Sequence, residues 1–213
     1  MNNIISLLSS SFPDLSVSKV RNGDIVARLE KNILIDVCNY LKNNNELKFD
    51  QLVDLCGVDY LRYRKSNWDT TIASNSGFSR AQVNFSDDYS IKNRFAVVYN
   101  LLSYTHNHRI RLIVPVSMDD LSVPSVANIW ATADWHEREA YDFFGISFEG
   151  HPNLDRILTD YGFKYYPLRK DFPVTGKDEI RYDETKGKLV YEATSVTTKM
   201  NAPKVVRDDF RYK

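Results

Sequence analysis

The sequence predicts an α/β (α+β) fold, in which a mixed sheet of about four to six strands packs with helices and an extended, mostly irregular C-terminal segment follows. Three observations lead there. The runs Phe95–Tyr104 and Arg109–Val116 are rich in β-branched and aromatic residues, and the second alternates apolar with polar side chains, the period of a strand with one buried face. Ile33, Leu34, Val37, Cys38 and Leu41 instead recur at the spacing of one helical face. Beyond Gly145 periodicity fades, and Gly150, Pro152, Gly162, Pro167, Pro173 and Gly176 break up a stretch of aromatics and arginines. In chain order this divides the protein into an α/β domain, 1–145, with an insertion at 65–93, and a docking segment with tail, 146–213.

The elements follow from local chemistry. Ile4, Ile5, Leu7 and Leu8 form one face of a short helix that stops at Phe12-Pro13, because proline disfavours helical geometry in the residue before it. Leu15–Val20 and Ile25–Leu29 flank Asn22-Gly23-Asp24 and read as a hairpin, Asn-Gly being the strongest short turn signal. The helix around Ile33–Leu41 ends in Asn43-Asn44-Asn45, and the spacing of Phe49, Leu52, Val53 and Leu55 predicts a second short helix ending near Gly57. Val58–Arg64 reads as a strand, and residues 65–93, rich in Ser, Asn and Asp, as an insertion. The next two runs, joined by Thr105-His-Asn-His, form a hairpin with Arg109 and Arg111 toward water and Ile110, Leu112 and Val114 toward the core. Ser122 as an N-cap with Pro124 in the first turn predicts a helix through Val126, Ile129 and Trp130. A further helix, Trp135–Phe144, closes on Gly145. Ile146–Tyr182 is expected to run mostly extended, before a strand at Lys188–Tyr191.

Composition excludes several function classes. A chain of 213 residues buries roughly 70% of its unfolded surface, enough for a real core. Its 28 basic residues cancel 28 acidic ones, so overall charge draws it neither to nucleic acid nor to an anionic membrane. Cys38 and Cys56 are the two cysteines, too few for a disulfide scaffold or a cluster held by four thiolates. No apolar run approaches the ~18 residues needed for a membrane span. Met1–Phe12 has no basic residue, so neither a secretory signal nor a transit peptide is expected.

No G-x-G-x-x-G, phosphate-binding loop, C-x-x-C or H-E-x-x-H occurs. His106 and His108 flank Asn107 in a turn and have no carboxylate or cysteine close by in sequence. His136, Glu139 and Asp142 would suit a free-standing carboxylate metalloenzyme, the less favoured alternative, because the Glu-x-x-His spacing of such sites is missing. Asp134, Arg138 and Asp142 lie at i, i+4 and i+8, which predicts one guanidinium gripped from both sides. With Glu137 and Glu139 they make a structural charge cluster, set among Trp135, Tyr141, Phe143 and Phe144, residue types enriched where protein surfaces meet. Phe148, Leu154, Ile157, Leu158, Tyr161, Phe163, Leu168 and Phe172 cannot all be buried by an irregular chain on itself, so a partner surface is expected.

Glu137-Arg-Glu-Ala-Tyr-Asp-Phe-Phe-Gly-Ile, Gly150-His-Pro, Arg156-Ile-Leu-Thr-Asp-Tyr-Gly-Phe and Pro167-Leu-Arg-Lys-Asp-Phe-Pro together closely resemble the 30 kDa subunit of respiratory complex I, the proton-pumping NADH:ubiquinone oxidoreductase. The similarity covers about residues 20–185. The resemblance implies a non-catalytic structural subunit of the peripheral arm that braces the 49 kDa subunit near the quinone-reducing region. It implies that NADH, FMN, iron–sulfur clusters and ubiquinone are used on other subunits, with no cofactor, metal or catalytic residue on this chain. Partner docking falls to His151, Arg156, Asp160, Tyr161, Phe163, Arg169, Lys170, Asp171 and Phe172. The implied location is the matrix side of the mitochondrial inner membrane, or the cytoplasmic side of a bacterial one. Similar subunits serve membrane-bound hydrogenases and ferredoxin-linked complexes, which stand as the alternative assembly. Two departures from the family pattern bear on local contacts: Asp155 stands where a basic residue is usual, and Lys164-Tyr165-Tyr166 where Glu-Gly-His is common.

Overall fold

The computed structural model describes residues 2–13, 15–20, 23–63 and 91–195. Most of the expected insertion, and the tail past 195, lie outside the described residues. The chain forms two compact units, one of 1–60 with 89–169 and one of 61–88 with 170–213. In space, residues 146–169 therefore belong with the sheet rather than with the tail.

In the first unit, helix α1 (Asn2–Ser11) buries Ile4 and Leu8 and stops before Pro13. Strands β1 (Ser16–Lys19) and β2 (Ile25–Arg28) pair antiparallel, with Gly23 at φ +94° supplying the left-handed turn that a side chain would resist. A 3₁₀ turn, Lys31–Ile33, leads into α2 (Leu34–Asn43), which sinks Leu34, Val37, Cys38 and Leu41 into the core.

The expected second helix is not there. Residues Gln51–Asp59 form β3, and the predicted strand at Val58–Arg64 ends at Asp59, with a turn at 61–63. The misreading has a physical cause. A β-bulge at Val53 breaks the register between Leu52 and Asp54, so that Leu52 faces Leu101 and Leu55 faces Tyr99. Two leucines three apart thus share one face of a strand and imitate a helical period.

Strands β4 (Phe95–Ser103) and β5 (His108–Val116) form the predicted hairpin, its turn bent through Asn107 at φ +50°. Arg109 and Arg111 are exposed; Ile110, Leu112 and Val114 are buried. The sheet order is β1-β2-β5-β4-β3, with β2 and β5 parallel and the other pairs antiparallel.

Ser122 does not start a helix. Ser122–Pro124 is a short strand, β6, paired in parallel with β7 (Ser147–Glu149), and turns follow it. Their polar groups are committed to distant partners: the Ser125 amide to the Glu149 carbonyl (2.9 Å), the Trp130 indole to the Phe49 carbonyl (3.1 Å), the Ile129 carbonyl to Lys42. The ladder to β7 holds 122–124 extended, which a helix begun at Ser122 could not keep. Helix α3 (Ala133–Phe144) ends at Gly145, φ +74°, as its sequence predicts. It packs along edge strand β3, where the Phe144 ring lies so close to Gly57 that a Cβ there would sit 2.6 Å from it.

From Gly150 to Lys177 the chain makes turns and bends, so the expected extended run is replaced by a folded-back one. In the second unit β8 (Asp178–Asp183) and β9 (Lys188–Ala193) form a hairpin, fulfilling the strand expected at Lys188–Tyr191.

Candidate docking site

The predicted charge cluster on α3 splits into two anchors facing different parts of the chain. Near the N-terminal end, the buried Glu137 carboxylate accepts hydrogen bonds from the Ser125 hydroxyl (2.6 Å) and the Val126 amide (2.7 Å). Burial pushes its carboxyl above the usual range, against the downward pull of those donors. Beside it lies the buried ring of His151, with Nε2 3.0 Å from an Asp134 carboxylate oxygen and 3.9 Å from Glu137. The Asn153 amide donates to His151 Nδ1 (3.1 Å), which places the ring proton on Nε2, toward Asp134. His151 is thus a tie between the loop and the first turn of α3.

Two turns on, Asp142 organises the segment beyond Gly145. Its Oδ2 accepts the successive amides of Ile157 (3.1 Å), Leu158 (2.8 Å) and Thr159 (3.0 Å); its Oδ1 takes Arg156 (3.0 Å) and the Thr159 hydroxyl. Burial pushes this carboxyl up, but the Thr159 hydroxyl and the amides outweigh it and hold it below the ordinary carboxylate range. Hydrogen bonds to a charged group are worth about 1.5–3 kcal/mol each, so this carboxylate dominates the local energetics.

The predicted bridge of Arg138 between Asp134 and Asp142 does not form, because both carboxylates are engaged by the loop that folds back over the helix. Arg138 instead donates from Nε to the Asp155 carbonyl (3.1 Å) and stacks over Trp135 at 5.0 Å. Glu139 is half-buried.

A second feature escaped sequence reasoning altogether. Arg94 and Asp59, with side chains 1% and 0% exposed, pair through two hydrogen bonds of 2.9 and 2.6 Å. From there guanidinium and aromatic groups alternate. Arg94 stacks over Phe95 (4.8 Å), Arg169 over Phe95 (5.2 Å) and Tyr166 (4.3 Å), and Arg156 over Tyr166 (5.0 Å) and Phe163 (5.9 Å). Each such contact contributes about 0.5–2 kcal/mol, more where water is excluded. Arg169 also donates from Nε to the Phe144 carbonyl (2.6 Å), and its guanidinium and Tyr166 press against Gly145. Only a glycine fits there: φ is positive, and a Cβ would lie 2.6 Å from both side chains. The alternation of Arg94-Phe95 with Tyr166 and Arg169 was the available signal, but spacing along the chain does not reveal stacking across it.

Of the predicted docking residues, His151, Arg156, Phe163 and Arg169 are therefore partly internal fasteners, with Phe163 also meeting Tyr165 edge-on at 5.7 Å. Of the segment's apolar groups, Phe148 is buried and Leu154 packs against the core. Leu158 and Tyr161 do stand in water, at 59% and 96% exposure, as does Trp135 at 61%. Asp160 is exposed; Lys170, Asp171 and the half-buried Phe172 belong to the second unit.

The structure does not bring His136, Glu139 and Asp142 together as a metal-binding group. Asp142 is occupied by the loop, His136 Nδ1 lies 3.9 Å from Asp54, and among the described residues no group of three or more His, Cys, Asp or Glu could hold a metal ion. No helix of the described residues is long and apolar enough to cross a membrane.

Comparison with known proteins gives this arrangement a context. The chain is 51% identical to the C subunit of the NADH-quinone oxidoreductase of Coxiella burnetii, over 98% of its own length and 94% of the relative's. It is 47% identical to the protein of the same name from Hydrogenovibrio crunogenus, over 92% of this chain and 90% of that one. Among solved structures, the trypsin-resistant fragment 1–134 of Nqo5 superposes with a TM-score of 0.54 at 27% identity, covering 72% of this chain and all (100%) of the fragment. A chain of an archaeal membrane-bound sulfane sulfur reductase shares the fold, with a TM-score of 0.56 at 22% identity, over 81% of this chain and 85% of that one. The family model described as "Respiratory-chain NADH dehydrogenase, 30 Kd subunit" matches residues 27–178, and the chain belongs to that family.

Proposed function

We propose that this chain is a non-catalytic subunit of the peripheral arm of NADH-quinone oxidoreductase, and that it braces the 49 kDa subunit beside the quinone-reducing region. The observation that carries this reading is the division of labour after α3. Asp142, Arg156 and Arg169 satisfy the segment's polar groups internally, while Trp135, Leu158 and Tyr161 are held out to solvent. A loop held by internal hydrogen bonds beside a helix, with large apolar side chains facing solvent on both, is suited to contact. In this reading NADH, FMN, iron–sulfur clusters and ubiquinone all act on neighbouring subunits. The identity to bacterial NADH-quinone oxidoreductase proteins favours this assembly over a hydrogenase or ferredoxin-linked complex, and the cytoplasmic face of a bacterial inner membrane over the mitochondrial matrix.

Purification under mild detergent tests it. The chain should come down with a large NADH-oxidising assembly that contains the 49 kDa subunit, and Arg156→Ala should lower the amount assembled far more than turnover per assembled complex. Normal assembly with reduced turnover would overturn the bracing role.

A further inference from the structure

In the second unit, the register of β8 on β9 sets Ile180 opposite Tyr191 and Tyr182 opposite Leu189, so these four side chains share one face of the hairpin. The other face carries Glu179, Arg181, Asp183, Lys188 and Glu192 around Val190, and Arg181 donates two hydrogen bonds to Glu192 (2.9 and 2.6 Å). Exposure runs against polarity. The four side chains of the apolar face are 49 to 65% exposed, whereas Glu179, Asp183 and Val190 on the charged face are half-buried. Turn chemistry shapes this hairpin: Asp183 Oδ1 accepts the amides of Thr185 (2.9 Å) and Lys186 (3.3 Å), Gly187 turns at φ +60°, and the Thr194 amide closes the open end on the Lys177 carbonyl (2.9 Å). A two-stranded ribbon with an exposed apolar face is only marginally stable in water. A contiguous exposed patch of this kind marks a surface that another body covers.

Neither lipid nor a second copy fits the face. Residues 178–193 hold five acidic against three basic side chains, a balance that an anionic membrane surface repels. Two strands of six residues cover about 20 Å by about 10 Å, roughly 200 Å², well short of the ~800 Å² per partner that a stable pair needs. Two hairpins face to face would therefore not hold each other. A neighbour in a larger assembly is held by other contacts as well, so a small patch suffices there, and the chain belongs to a family of subunits of such an assembly. The only charged side chain on the apolar face is Asp178, at its open end, so a charged counterpart would lose its water without compensation. We infer that the face of Ile180, Tyr182, Leu189 and Tyr191 docks on an uncharged surface of aliphatic or aromatic side chains on another subunit of the oxidoreductase. The charged face stays toward water.

The inference rests on the chain's proposed place in the oxidoreductase, and the test separates the two. Benzoylphenylalanine, a photo-crosslinker, replaces Leu189 in the full chain, and in a second strain Lys188, its neighbour on the charged face. The assembled complex is purified, irradiated and mapped by mass spectrometry. The probe at 189 should join one stretch of one other subunit, at an aliphatic or aromatic residue, and the probe at 188 should not reach that stretch. Leu189→Asp should lower the amount of assembled complex by roughly fivefold or more, because its carboxylate would be buried without a partner, while Leu189→Met stays near the parent. If the complex assembles but position 189 reacts only with solvent, with lipid, with this chain or a second copy of it, or with a charged residue of another subunit, the hairpin assignment falls and the subunit reading stands. The same holds if both probes reach one stretch or if Leu189→Asp assembles normally. If the chain is absent from any NADH-oxidising assembly, both fall.

Discussion

In the sheet, Leu112 and Val114 reach zero exposure by packing apolar side chains against one another, whereas residues 154–169 leave Leu158 and Tyr161 in water and are held by Asp142, Arg156 and Arg169. The sheet gains stability in proportion to buried apolar area, so its contributions are many and shared. The loop depends on a handful of directional contacts, each hard to replace, and its apolar groups remain available for another surface. Buried apolar packing and solvent-facing apolar groups are thus assigned to different residues of one folded unit.

Substitutions should separate the two regions. The largest loss of global stability is expected from Leu112→Ala, about 2–5 kcal/mol by thermal or denaturant melting, because it opens a cavity at the centre of the sheet. Asp142→Asn should cost less overall, about 2–3 kcal/mol, and should act locally: amide exchange at Ile157, Leu158 and Thr159 should rise while the β4 and β5 amides stay protected. Equal acceleration in the sheet would show that the regions are not separable.

The pH dependence sharpens the contrast, since the two buried carboxylates act with opposite sign. Asp142 lies below its ordinary value, so its contacts stabilise fully above about pH 4 and are lost as pH falls through the lowered value. Glu137 lies above its ordinary value; the folded chain takes up its proton first, and its contribution improves as pH falls from neutral toward about 4. Urea melts from about pH 3 to 7 should show a shallower acid loss for Asp142→Asn and no weakly acidic improvement for Glu137→Gln. The smallest effect on the isolated chain belongs to Tyr161→Ala, within about 0.5 kcal/mol, yet that variant should deplete the assembled complex. A large change in its melting would mean the ring is part of this chain's own packing.

How much could be read in advance follows the same divide. The β4–β5 hairpin, α2 and the Gly145 stop were legible because period and turn chemistry are local properties of the chain. Ser122 misled because a good N-cap followed by proline is also compatible with a short strand once Glu137 and Glu149 capture the next amides. For the site, residue types singled out Glu137 and Asp142 as a structural charge cluster and Arg156 and Arg169 as docking residues, but the internal partners that Glu137, Asp142 and Arg169 hold lay 11 to 25 positions away, out of reach of helical spacing rules. Arg94 and Asp59 gave no sign, being 35 positions apart across the insertion.

The bulge at Val53 settles where this chain can gain or lose length. Removing Val53 would bring Leu52 and Leu55 to a separation of two, an ordinary strand interval, and both would still face inward. Dropping a residue a few positions later, inside the regular ladder, would turn one half of the strand inside out. Natural variants differing by one residue at this edge should therefore cluster at the bulge, which acts as a slip joint in an otherwise rigid frame.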